Sequence, residues 1–179
     1  PPKQLSPRST GRTQSPAFSA DGQWLAYFRW TSGTPPCRLV LRSLATDDER
    51  ELPTVFDWIE WQRWLPDGKS LLVQGTTTLA DSYGVHRVDI ATGRSTLVKT
   101  AKDLGWLEPP AITRDGKTAY VTRFVFGSSH HRLSAWSIET GAVRDLAGGE
   151  GVAKAPGLSS DGLNLAVNMA GSKDRSITI

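Results

Sequence analysis

Apolar residues alternate with polar ones in short runs along this chain. Nowhere do they hold the i, i+3, i+4, i+7 spacing of an amphipathic helix for three turns. Such runs predict strands, and they recur. Asp-Gly appears at Asp21-Gly22, Asp67-Gly68, Asp115-Gly116 and Asp161-Gly162, at intervals of 46, 48 and 46 residues. Three positions before each Asp stands a large apolar residue: Phe18, Trp64, Ile112 or Leu158. Four positions after it comes Leu25, Leu71, Ala119 or Leu165, and two further on Tyr27, Val73, Val121 or Val167. A second family of apolar runs lies downstream: Leu39-Val40-Leu41, Val88-Asp89-Ile90, Leu133–Trp136 and Ile177–Ile179. Two of them lead into Thr92-Gly93 and Thr140-Gly141, and Thr46-Asp47 holds that place in the first copy. A short strand then ends at Leu52, Leu97 or Leu146.

Each unit therefore reads as four short strands joined by tight turns. Asp-Gly between apolar runs is a hairpin signal, because glycine takes positive φ without a steric penalty and aspartate bonds its own backbone. Asp21, Gly22, Asp67, Gly68, Asp115, Gly116, Asp161 and Gly162 are accordingly assigned as structural turn residues. Four antiparallel strands repeated about every 47 residues predict an all-β chain, a β-propeller of four-stranded antiparallel blades. One domain over residues 1–179 is expected, with units of about 6–52, 53–97, 98–146, and 147–179 plus 1–5.

The segments Ser15-Pro16-Ala17-Phe18-Ser19-Ala20-Asp21-Gly22-Gln23-Trp24-Leu25-Ala26-Tyr27 and Trp64-Leu65-Pro66-Asp67-Gly68-Lys69-Ser70-Leu71-Leu72-Val73 carry a resemblance. They resemble the TolB-type, WD-like propeller repeat: an aromatic, Ser-Pro-Asp-Gly, a polar residue, then an apolar strand. The third and fourth copies lack the proline, as does Ser19-Ala20-Asp21-Gly22 of the first, and the resemblance extends over nearly the whole chain. It implies a binding or scaffold propeller that meets a protein or peptide through its loop face, in the periplasm or another extracytoplasmic space. The alternative it implies is the substrate-gating propeller of a prolyl-oligopeptidase-like peptidase, or the sensor region of a membrane-bound regulator. The strand count gives about four blades' worth: Leu5 aligns with Leu52, Leu97 and Leu146, so the N-terminal strand at Lys3–Ser6 can complete the last blade beside Ile177–Ile179. A homodimer closing one larger ring satisfies the same count.

Composition narrows the chemistry. Of 179 residues, 38% are apolar and 22% charged, a globular balance. The net charge of +3 is scattered, with no basic stripe interleaved with aromatics, so no nucleic-acid partner is expected. No apolar run reaches the ~18–20 residues of a spanning helix, so no membrane insertion is expected. The single Cys37 excludes a disulfide or a cysteine-built metal centre within one chain. His130 and His131 are adjacent, and on a strand they would point to opposite faces, so no metal site is assigned. Each Asp-Gly aspartate lacks the alternating oxygen ligands that calcium requires. No Gly-x-Ser-x-Gly elbow, phosphate-cradling loop or dinucleotide fingerprint is present, so no catalytic residue and no cofactor are assigned and the chain is read as non-enzymatic.

Seven tryptophans remain to be placed. Trp24, Trp64 and Trp136 recur at repeat positions and read as packing residues. Trp30, Trp58 and Trp106 lie in or beside segments that follow second and fourth strands, as Trp61 does less clearly, and these segments share one face of a propeller. Together with His130 in the loop of the third copy, Trp30, Trp58 and Trp106 are the candidate partner-binding residues.

Overall fold

The computed structural model describes residues 12–30, 36–78, 83–100, 102, 105–124, 131–149, 153–170 and 175–178. Apart from Lys102, which is helical, the elements spanning them are strands. The first sheet runs in sequence order through β1 (Arg12–Phe18), β2 (Trp24–Trp30), β3 (Cys37–Ser43), β4 (Glu49–Trp64), β5 (Ser70–Thr77), β6 (Gly84–Asp89) and β7 (Ser95–Thr100). A second sheet joins β12 (Val143–Gly149), β11 (His131–Ser137), β10 (Thr118–Phe124) and β8 (Trp106–Leu107), with β9 (Ala111–Ile112) also paired to β10. The third contains β13 (Ala153–Leu158), β14 (Leu165–Ala170) and β15 (Arg175–Thr178). The pairings are antiparallel. The chain divides into two compact units, Pro1–Trp64 with Gly68–Thr96, and Leu65–Asp67 with Leu97–Ile179.

The turns repeat as the sequence predicts. Gly22, Gly68, Gly116 and Gly162 all have positive φ, at 69°, 63°, 69° and 75°. In three copies a hydroxyl two residues before the Gly-preceding Asp completes the turn. Ser19 Oγ donates to Asp21 Oδ1 at 2.5 Å while accepting from Trp24 N at 2.9 Å, and Gln23 N donates to Asp21 at 3.0 Å. Thr113–Asp115 and Ser159–Asp161 repeat this geometry. The second copy has Leu65 in the hydroxyl's place, and it is buried. The later turns share another pattern. Gly93 N and Gly141 N donate to Asp89 O and Ser137 O, and Asp47 N donates likewise to Ser43 O. Asp47 takes φ 63° where its counterparts are glycines at 70° and 73°, a conformation that aspartate tolerates better than most side chains.

The sheets are not cut where the pattern of four-stranded units cuts them. β4 runs for 16 residues, pairing with β3 through its first half and with β5 through its second, so two expected units share one strand. Residues 51–63 explain this, because they contain no glycine or asparagine and are dense in aromatic and β-branched side chains. Their one breaker, Pro53, falls within the register shift opposite Arg38–Val40, where a missing N–H does no harm. In the third copy Pro109 and Pro110 break the first strand into β8 and β9. The third sheet has three strands, and Lys3–Ser6, Leu5 and Ile179 lie outside the described residues.

Alternation decides which side chains form the core. In the first unit, Ala26, Phe28 and Trp30 of β2 and Leu39 and Leu41 of β3 pack with Ile59, Trp64, Leu71, Val73 and Val88. Residues of the other parity, Leu25, Tyr27 and Val40, form a smaller cluster with Leu44. A fully buried side chain such as Phe28 contributes roughly 1.5–3 kcal/mol relative to exposure. Trp64 also ties strands together, its Nε1 donating to Ala17 O at 2.9 Å, and Gln62 Nε2 donates to Ala26 O at 2.9 Å and to Ser15 O at 2.5 Å. In the second unit Leu107, Val121, Leu133 and Trp136 are buried.

Candidate functional site

Two of the four sequence-predicted candidates meet. Trp30 closes β2 and is buried, while Trp58 lies in β4 opposite Thr76, near the end of β5, and remains 50% exposed. Their ring centroids are 6.0 Å apart at 64°, the edge-on geometry that aromatic pairs prefer. Trp58 Nε1 donates to Glu60 Oε1 at 2.5 Å.

The local sequence fixes this pair. β4 shifts register between Phe56 and Trp58 and again between Ile59 and Trp61. Such bulges re-aim side chains. A Cβ on Gly75 would lie 2.3 Å from Trp58 O, so the approach of β5 to this backbone requires glycine. Beneath it, Phe56 meets Phe28 edge-on at 6.0 Å and His86 at 5.4 Å, and His86 Nδ1 lies 3.2 Å from Ser95 Oγ. Cys37 Sγ donates to Phe56 O at 3.2 Å, and burial pushes this thiol up to about 12. A thiol so buried and protonated is a packing residue and not a nucleophile.

Trp106 stands in β8 with its backbone opposite Phe124, and His130 lies outside the described residues. The adjacent His131 packs its ring at 5.3 Å from that of Phe124. Trp61, Trp64 and Trp136 are buried, and Trp24 packs at the margin of the first core. Trp58 and Trp106 each stand nine residues before an Asp-Gly, Asp67 and Asp115, a spacing that the reading of tryptophans as individual loop residues overlooked.

Polar constellations elsewhere were missed by the sequence reading. On β2–β4, Tyr27 Oη donates to Glu49 Oε1 at 2.5 Å, and Arg29 donates to Tyr27 Oη at 2.8 Å and to Glu49 Oε2 at 2.5 Å. Burial first, and then the bond to Glu49, push the Tyr27 phenol up to about 12. On β10–β12, Asp145 joins Arg123 at 2.7 Å, Arg132 at 2.8 Å and Ser134 at 2.7 Å. Partial burial raises the Asp145 carboxyl, but these bonds outweigh it and bring it down to about 2. An open cleft of about 370 Å³ is lined by Ser70, Arg87, Asp89, Thr92, Arg94 and Thr96. The hydroxyl and amide of Thr92 both bond Asp89 and hold its carboxyl below the usual range. Among the described residues no group of three or more His, Cys, Asp or Glu could hold a metal, and no helix is long and apolar enough to cross a membrane.

No protein-family model matches the chain, and no curated protein matches it significantly. Solved structures do. Puromycin hydrolase aligns at TM-score 0.70 and 23% identity over 94% of this chain and 27% of its own. A putative TolB from Agrobacterium tumefaciens aligns at TM-score 0.69 and 19% identity, over 93% of this chain and 57% of its own. A prolyl endopeptidase aligns at TM-score 0.65 and 15% identity, over 94% and 29%. The chain thus spans between about a quarter and a little over half the length of these structures. At such identities the likeness concerns fold, and the TolB-type resemblance of the Asp-Gly repeats agrees with it. The chain has the all-β, antiparallel propeller fold that TolB shares with the propeller domains of peptidases.

Proposed function

We propose that the protein is a non-enzymatic binding module that docks a protein or peptide where Trp30 and Trp58 meet. The carrying observation is Trp58: a large aromatic left 50% exposed, yet fixed by an edge contact to buried Trp30 and a bond to Glu60. Rigid, half-exposed aromatics supply much contact area at little entropic cost and are enriched at binding hot spots. In this reading the four Asp-Gly copies build four blade-like units, and the compartment is extracytoplasmic, as for TolB-type propellers. Selection of peptides from a displayed random library tests it. Enrichment of binders that are lost on Trp58→Leu supports the reading; no enrichment, or binders indifferent to Trp58→Leu, overturns it.

The second reading is a propeller that gates access to a peptidase active site lying outside this sequence. The match to 27% of puromycin hydrolase favours it. Selected peptides that bind the chain and are also cleaved by a longer form containing a hydrolase domain would establish that reading. Light scattering tests the dimeric larger ring, which requires twice the 19.5 kDa chain mass in solution.

A further inference from the structure

The tether on Trp58 says what kind of group the site receives. Glu60 accepts the indole N–H at 2.5 Å. A carboxylate in that position adds its own negative charge beside the ring and polarises the indole toward a more electron-rich face. Such a ring attracts cations, and tryptophan is the best of the aromatic side chains at doing so. The surrounding sequence has the same sign. β4 carries Glu49, Glu51, Asp57 and Glu60 against Arg50 and Arg63. Glu60 also lies close enough to Tyr83 to push that phenol up, after the larger effect of burial. Cations on neighbouring strands include Arg12, opposite Trp30, Arg29 and Arg38, which pair with Glu51 at 3.4 and 3.7 Å, and Arg42, which pairs with Asp47 and Glu49.

The backbone is shaped to hold the ring in place. Two register shifts flank Trp58, Gly75 permits the close approach of β5, and Trp30 buttresses the indole from the core side. An indole restrained on so many sides is pre-organised, so that a ligand need not order it on arrival.

We propose that Trp58 and Glu60 form a subsite for a cationic group of the docked peptide, the ammonium of a lysine or the guanidinium of an arginine, seated on the half-exposed indole beside the carboxylate. This assignment rests on the binding reading above and names the chemistry of its ligand.

The test follows the Trp58 indole N–H resonance of the full 179-residue chain, identified by its loss in Trp58→Phe. The probes are the N-acetyl methylamides of lysine, arginine, norleucine and glutamate. Lysine and arginine should shift the resonance saturably, while norleucine and glutamate at equal concentration shift it less than a fifth as far. Raising the salt to 1 M should weaken the lysine effect several-fold, because the attraction is largely electrostatic. Glu60→Gln should weaken it at least fivefold with the other indole resonances in place. Norleucine acting as strongly as lysine, or a Glu60→Gln protein unchanged toward lysine, overturns the proposal; the norleucine comparison needs no variant. If library-selected peptides show no excess of lysine or arginine and bind Glu60→Gln as tightly as the native protein, yet are lost on Trp58→Leu, this assignment falls while the docking reading stands. If they survive Trp58→Leu, both fall.

Discussion

Arg29 and Arg123 occupy the same position in two copies of the repeat, eight residues beyond Asp21 and Asp115, and each faces another arginine across its strand pair, Arg38 and Arg132. Like charges directly opposite one another destabilise a sheet. Each pair is offset by a carboxylate from the next strand. Glu51 lies 3.4 Å from Arg29 and 3.7 Å from Arg38, and Asp145 lies 2.7 Å from Arg123 and 2.8 Å from Arg132. The second copy dispenses with the arrangement, since Gly75 faces Gly84 there.

Asp145→Asn should therefore destabilise the protein by on the order of 1 kcal/mol at pH 7, a value discounted because the side chain is about a third exposed. The folded carboxyl, at about 2, is depressed below its unfolded value near 3.9, so its contribution is present above that unfolded value. It is lost as the pH falls from about 4 to about 2. Urea denaturation of native and variant proteins should give a difference at pH 7 that closes across that window. A difference independent of pH would contradict the assignment.

Tyr27 makes the opposite prediction. Its folded phenol, at about 12, is raised above the unfolded value near 10. The stability from its bonds to Glu49 and Arg29 is thus complete below pH 10 and fades as the pH rises through 12. In an alkaline absorbance titration, the native-minus-Tyr27→Phe difference should have its midpoint well above 10. A midpoint at 10 would place the phenol in water.

Glycine substitutions should rank by their surroundings. Gly22 and Gly93 both have positive φ, but a Cβ on Gly22 meets nothing within 4 Å, whereas one on Gly93 would lie 2.3 Å from Pro53 Cδ. Gly22→Ala should cost about 1 kcal/mol through backbone strain alone. Gly93→Ala should cost more, on the order of 2–3 kcal/mol, with part restored by Pro53→Ala. Equal losses in chemical denaturation would show that the Pro53 contact yields freely.

The hairpins were legible because they rest on local chemistry: an Asp-Gly whose aspartate caps its own turn is identifiable from adjacent residues. Asp47 shows how far this extends, since it does the work of Gly93 and Gly141 under a different residue name. The join within β4 was not legible, because repeat spacing places turns but says nothing of whether the chain straightens between them. The meeting of Trp30 with Trp58 depends on pairing across 27 intervening positions and on two register shifts that alternation cannot reveal. The arginine pairs were visible in principle, as Arg29 and Arg123 share a repeat position, but their carboxylates come from a third strand whose register the sequence leaves open.

Hydroxyl-radical footprinting with a library-selected peptide tests the central claim most directly, because it reads the exposed side chains themselves. Trp58, Phe18 and Leu163 are all exposed in the free protein, and Phe18 and Leu163 flank Asp-Gly turns. Docking where Trp30 and Trp58 meet predicts that bound peptide suppresses oxidation of Trp58 and leaves Phe18 and Leu163 unchanged. Protection of Phe18 or Leu163 with Trp58 still oxidised at its free rate would contradict it.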